Sequence, residues 1–219
     1  MDTMDKQVTI IGRVNSIFNT ILSELRDKEI QTDRMRFRFN LERAGEILAY
    51  ELSRSLIYSP QNIITPLGMI EVPVLEEQPV VVCILRSGLP MHNGFLRIFD
   101  RADNGFVSAY RHHTKGNEFI IKVEYMACTE LEGRTLILID PMIATGKSLS
   151  LSYKSLLAYG TPKEVFVAGI IASEDGVEHV RRQLPQAKIF LGEVDKELTA
   201  KSYIVPGLGD AGDLAFGEK

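Results

Sequence analysis

Residues 136–148 read Leu-Ile-Leu-Ile-Asp-Pro-Met-Ile-Ala-Thr-Gly-Lys-Ser. Four consecutive apolar residues, 136–139, describe a strand covered on both faces, as in a parallel sheet. Asp140 follows at its carboxyl end. Ala144-Thr145-Gly146 then makes a tight loop, and Lys147-Ser148 opens an amphipathic helix. Open α/β sheets bind ligands beyond the carboxyl ends of their strands. A loop of small residues feeding a helix N-terminus presents several backbone N–H groups to one anion. Thr145 and Ser148 add hydroxyls, and Asp140 adds an acceptor suited to sugar hydroxyls. The segment therefore suits a phosphate and a polyol side by side. It is not a P-loop, because Gly-x4-Gly-Lys-Ser/Thr is missing.

The chain from residue 80 to 191 repeats this alternation. Further strands are expected at 80–85, 106–110, 119–125, 165–172 and 188–191. Helices are expected from Pro90, over 147–159 ending before Gly160, and over 176–183. Residues 111–117 are expected to turn. Strand-helix-strand order implies a twisted, mainly parallel sheet with helices on both faces.

The first 75 residues do not fit the alternation. They read as a helix over 12–27, with Val14, Ile17, Phe18, Ile21, Leu22 and Leu25 on one stripe. A second helix, capped by Thr32 or Asp33, runs to about Tyr58. Pro60, Pro66 and Pro73 then punctuate a loop or short hairpin. We assign this part to packing and to a hood or dimer-contact role.

A length of 219 residues suits one domain with a sizeable core. The expected parts are a helical N-terminal part (1–75), an α/β core (76–195) and a C-terminal loop (196–219). A net charge of −4 argues against nucleic acid as the main partner. No run of 18 apolar residues predicts a membrane span, and the N-terminus does not read as a secretory signal. Two cysteines, one of them (Cys83) inside an apolar strand, suggest neither a zinc site nor a disulfide framework. The cytoplasm is the expected compartment.

Three motifs together resemble the uracil phosphoribosyltransferase branch of the type I phosphoribosyltransferases. They are the 136–148 segment with its Asp-Pro-Met wording, Ile84-Leu85-Arg86-Ser87-Gly88-Leu89, and the C-terminal run from Tyr203 through Pro206-Gly207-Leu208-Gly209-Asp210-Ala211-Gly212 to Asp213. They keep the family's order and approximate spacing. The resemblance implies the type I phosphoribosyltransferase fold, with a hood built from N- and C-terminal segments. It implies transfer of a phosphoribosyl group from phosphoribosyl diphosphate (PRPP) to uracil, giving UMP and pyrophosphate in pyrimidine salvage.

The resemblance also carries roles. Arg86 and Arg111 contact pyrophosphate, and Asp140 holds the ribose hydroxyls; these three form the catalytic set. PRPP further meets Pro141, Met142, Ile143, Ala144, Thr145, Gly146, Lys147, Ser148 and Asp210. Uracil meets Ile204, Gly209, Asp210 and Ala211, largely through main chain. Asp140-Pro141 stands where wider relatives carry two adjacent acids, so Mg²⁺ is expected mainly on PRPP and water, with no dedicated protein metal site. The Pro-Gly-Leu-Gly run is expected to leave backbone groups free to read a planar base edge. A homodimer or larger homo-oligomer is implied, and in some members a GTP effector.

The chain departs from the branch at Ser87, Pro90, His92-Asn93, His112-His113, Lys147 and Leu214-Ala215. Two alternatives stay open at this point. One is a phosphoribosyltransferase for another base. The other is a PRPP- or nucleotide-sensing regulator on the same fold.

Overall fold

The computed structural model describes residues 7–113 and 119–218, with the side chains of 109–123 outside the description. Its centre is a sheet of strands β1 (Val8–Ile10), β4 (Val80–Leu85), β5 (Asp103–His113), β6 (Phe119–Ala127), β7 (Thr135–Ile139), β9 (Glu164–Ser173) and β10 (Lys188–Asp195), with the short β8 (Met142–Ile143) added to β9. A separate hairpin joins β2 (Tyr58–Thr65) to β3 (Gly68–Leu75), and β11 (Glu197–Leu198) pairs with β12 (Ile204–Val205). The helices are α1 (Ile17–Arg26), α2 (Arg34–Ser53), α3 (Gly88–Ile98), α4 (Lys147–Leu156), α5 (Glu174–Gln183) and α6 (Ala211–Phe216).

The main sheet runs β1-β10-β9-β7-β4-β5-β6. All its pairs are parallel except β5 with β6. The period-two alternation of side chains divides each central strand between two cores. Val81, Cys83, Ile137, Ile139, Phe166 and Ala168 face one core, with Phe18 of α1, Phe37 and Leu41 of α2, and Met91 and Phe95 of α3. Val80, Val82, Leu136, Leu138, Val165 and Val167 face the other, with Leu149 and Tyr153 of α4 and Val180 of α5. Covering both faces explains why these strands read as unbroken apolar runs rather than as alternating ones.

Several expected boundaries move. The first helix starts at Ile17, where Ser16 and Asn19 form a capping box, so Val14 and Ile17 leave the buried stripe and are 69% and 61% exposed. Asp33 caps α2, accepting from the N–H groups of Met35 and Arg36. That helix stops at Ser53, because Tyr58 already belongs to the hairpin. β5 continues through Arg111 to His113, so the turn expected at 111–117 does not begin at Arg111. Residues 114–117 of that turn lie outside the described residues. The N-terminal part is not only helical. Val8–Ile10 pairs with Ile189–Leu191 as the outer parallel strand, and the hairpin supplies two more.

Candidate active site

Parallel order puts the carboxyl ends of β4 and β7 side by side, with Cys83 paired to Ile139. Asp140 leaves β7 at this rim. It is 9% exposed, and its Oδ1 accepts from the Met142 N–H at 3.2 Å. Burial outweighs that bond and pushes the carboxyl up to about 7. The next residues are tied to β9: the Pro141 carbonyl accepts from the N–H groups of Ile170 and Ile171, both at 3.0 Å. An open cavity follows, lined by Asp140, Met142, Ile143, Ala144, Thr145, Gly146, Ser148 and Leu149. Pro141 is buried and Lys147 is exposed, and neither lines the cavity.

The shape of this loop depends on α5. Gly146 adopts φ +68° as the N-cap of α4, a conformation that favours glycine. A side chain there would also meet the Gly176 carbonyl at 2.8 Å. The Ser173 hydroxyl donates to the Ala144 carbonyl at 2.5 Å and accepts from the Gly176 N–H at 2.9 Å. The loop is therefore clamped from below while the N-terminus of α4 faces the cavity.

Arg86 leaves β4 one strand away. The turn after it approaches β7 closely: a methyl on Gly88 would lie 3.5 Å from the Ile139 carbonyl. The Arg86 side chain turns toward the C-terminal segment. Its Nη2 donates to Asp213 Oδ1 at 3.0 Å and its Nη1 to the Gly217 carbonyl at 3.3 Å. Among the described residues its Nε is buried without a hydrogen-bond acceptor. Arg111 lies in β5, the strand parallel to β4, and its side chain is outside the described residues.

The C-terminal motif is more structured than a loop. Asp210 caps α6, accepting from the Asp213 N–H at 3.0 Å. Ala211 and Ile204 are buried in the core, whereas Gly209 and Asp210 are exposed. Gly212 sits where a methyl would be 3.2 Å from Asp210 Oδ1 and 3.7 Å from Arg86 Nη2. Asp210 and Arg86 therefore both border this one small residue. The expectation of free backbone groups fails at Gly207. Its N–H donates to Asp195 Oδ2 at 3.0 Å, and its carbonyl accepts from Arg26 Nη1 at 2.8 Å. Arg26 and Asp195 also form a two-pronged ion pair at 2.8 and 2.9 Å. Arg38 of α2 donates to the Ala215 carbonyl at 2.8 Å. The hood is thus the C-terminal segment anchored on α1 and α2.

Sequence reasoning missed Asp195, Arg26 and Ser173. Asp195 carried a readable signal. It ends a largely apolar strand, where a carboxylate is costly unless partnered. Of the departures, His92 is a core residue. It is 1% exposed and set edge-on to Phe106 at 5.2 Å, and burial pushes it down to about 4. Asn93 beside it is exposed.

The family model for uracil phosphoribosyltransferase matches residues 14–218. The chain belongs to the uracil phosphoribosyltransferase family. A uracil phosphoribosyltransferase of Porphyromonas gingivalis is 46% identical over 214 residues, covering 97% of this chain and 99% of that protein. One from Pyrococcus furiosus is 37% identical over 201 residues, covering 90% of this chain and 85% of that protein. A solved structure of a protein from Aquifex aeolicus superposes with a TM-score of 0.84 at 27% identity, covering 96% of this chain and 98% of the other. Membership of the uracil phosphoribosyltransferase family thus spans the 141–148 loop, the Arg86 turn and the C-terminal segment alike.

Proposed function

We propose that this chain transfers the phosphoribosyl group of PRPP to uracil, giving UMP and pyrophosphate in pyrimidine salvage. The observation that carries the reading is the convergence at one sheet rim of a clamped phosphate loop, a buried acid and an arginine held by the base-reading segment. The reaction breaks the C1–oxygen bond to pyrophosphate as a ring nitrogen of uracil approaches C1. Negative charge grows on the leaving group, so cations and N–H donors aimed there lower the barrier most. Arg86 and Arg111 take that role. The buried Arg86 Nε, lacking an acceptor, has a donor to offer an incoming oxygen.

Residues 141–148 and the first turn of α4 hold the 5-phosphate through backbone N–H groups and the hydroxyls of Thr145 and Ser148. Asp140 accepts from the ribose hydroxyls. Its carboxyl is held up by desolvation, and two O–H donors would favour the charged form. Asp210 stands between PRPP and base. Ile204, Gly209 and Ala211 present main chain to uracil, and Ile204's buried side chain fits that division. Cytosine reverses one hydrogen-bond polarity, which leaves buried groups unpaired and disfavours it.

Asp140 and Asp210 are too few for a protein cage and suit a Mg²⁺ ion that arrives on PRPP with its own water. When bound, the ion would neutralise pyrophosphate charge. A single domain that includes the N-terminal part is favoured by β1 joining the sheet. A homo-oligomer is favoured by the β2–β3 hairpin, where Ile64, Leu67 and Met69 are 86%, 100% and 71% exposed. GTP as effector and a cytoplasmic location complete the proposal. No helix among the described residues is long and apolar enough to cross a membrane.

Pyrophosphate release with PRPP, Mg²⁺ and uracil, cytosine, hypoxanthine, guanine or no base tests the reading. Release with uracil alone, with UMP formed, is expected. Release with another base would overturn the specificity, and no release alongside PRPP binding would overturn the enzyme.

A further inference from the structure

α4 and α5 are joined by a chain of hydrogen bonds behind the phosphate loop. Ser150 is buried in the first turn of α4, and its hydroxyl donates to the Lys147 carbonyl at 3.1 Å. A hydroxyl has one proton to give. The contact between Ser150 Oγ and His179 Nε2, at 3.1 Å, then has imidazole as donor. The other ring nitrogen, Nδ1, lies 3.4 Å from Arg182 Nη2, a donor that cannot be deprotonated. This assigns the neutral tautomer with its proton on Nε2. Burial, then the charges of Arg182, Lys147 and Lys154, push His179 below its ordinary value, in agreement with a neutral ring. The direction is consistent along the whole chain: Arg182 to His179, His179 to Ser150, Ser150 to the Lys147 carbonyl.

The ring also forms part of the loop's floor. A methyl on Gly146 would lie 3.2 Å from His179 Cδ2. His179 thus touches both ends of the turn that sets the direction of the first N–H groups of α4. Ser173 fixes the loop's earlier half; Gly176 and Val180 also pack under Gly146, at 2.8 and 3.0 Å from such a methyl, and His179 adds a hydrogen bond from α5 to Ser150.

We propose that His179 is a positioning residue for the 5-phosphate of PRPP, acting through Ser150 to aim the N-terminus of α4. The inference rests on the proposed function, which supplies the phosphate. His179 touches no substrate, so its loss acts on PRPP capture more than on uracil or on turnover.

The test is PRPP binding by titration calorimetry, with steady-state kinetics, on wild type, His179→Ala, Ser150→Ala, the double variant and His179→Gln. Each alanine variant is expected to weaken PRPP about fivefold, the worth of one hydrogen bond. The KM for uracil should move little. The double variant should be no worse than either single one, because both cut the same chain. Glutamine places an amide N–H near Nε2 and should restore much of the loss. Additive losses, an unchanged PRPP affinity, or equal rises in both KM values would overturn the role. Ser150→Ala and His179→Gln keep the test decisive if His179→Ala does not fold. A wild type that binds no PRPP would instead count against the proposed function.

Discussion

Arg86 Nη2 and Asp213 Oδ1 are 3.0 Å apart, joining the turn after β4 to the C-terminal helix across 127 positions of sequence. Both side chains are more than one-third exposed, so the pair contributes little to global stability. Its consequence is local: the candidate pyrophosphate ligand is tied to the helix that starts at the candidate base-binding residues Asp210 and Ala211. Arg86→Lys keeps the charge but loses the planar fork and Nε. We expect kcat/KM for PRPP to fall about tenfold or more, as for loss of a two-pronged contact to phosphate oxygen. Kinetics of the lysine variant within twofold of wild type, to within about that error, would remove Arg86 from the site.

Asp140 predicts opposite effects on stability and activity. Its pKa is raised on folding from 3.8 to about 7. Between those limits the folded state holds a proton that the unfolded state has lost, so stability falls as pH rises through the window. Above pH 7 the buried charge costs at most about 4 kcal/mol. Asp140→Asn should therefore raise the Tm of the ligand-free protein at pH 8, with the gain vanishing toward pH 4. The same variant should use PRPP far less well. Thermal denaturation across pH checks the first half, and a gain independent of pH would sink it. Loss of fold in step with loss of activity would sink the second.

Asp195 is the anchor of the hood. It is 7% exposed, pairs with Arg26 and accepts from the Gly207 N–H. Asp195→Ala leaves Arg26 half-buried without its carboxylate and should cost about 3 kcal/mol. Because Gly207 lies between Ile204 and Gly209, both proposed to meet uracil, KM for uracil should rise more than KM for PRPP. Chemical denaturation and the two KM values decide it. An equal rise in both would place Asp195 outside base recognition.

The strands β4, β7 and β9 and the Gly146 turn were legible because their signals are local. A run of apolar residues, a small-residue loop and a helix start each occupy a dozen positions or fewer. Three motifs in order were enough to indicate the family, which the match over residues 14–218 established. β1 was missed because three residues cannot display a period, and its partner lies about 180 positions away. α6 was missed because Gly209 and Gly212 masked the Asp210 cap that starts it. The end of β5 was misplaced because a strand-to-turn change shows little in Arg-His-His.

What the sequence determined by itself was the set of groups that can meet a phosphate, a sugar and a base. Only the tertiary structure decided which of them are held, and by what. Asp195 grips Arg26 across 169 positions, and His179 reaches Ser150 from a different helix. Such bonds depend on the direction and burial of two distant segments at once. Neither segment's local pattern encodes that relation; it arises when the parallel sheet brings their ends to the same rim.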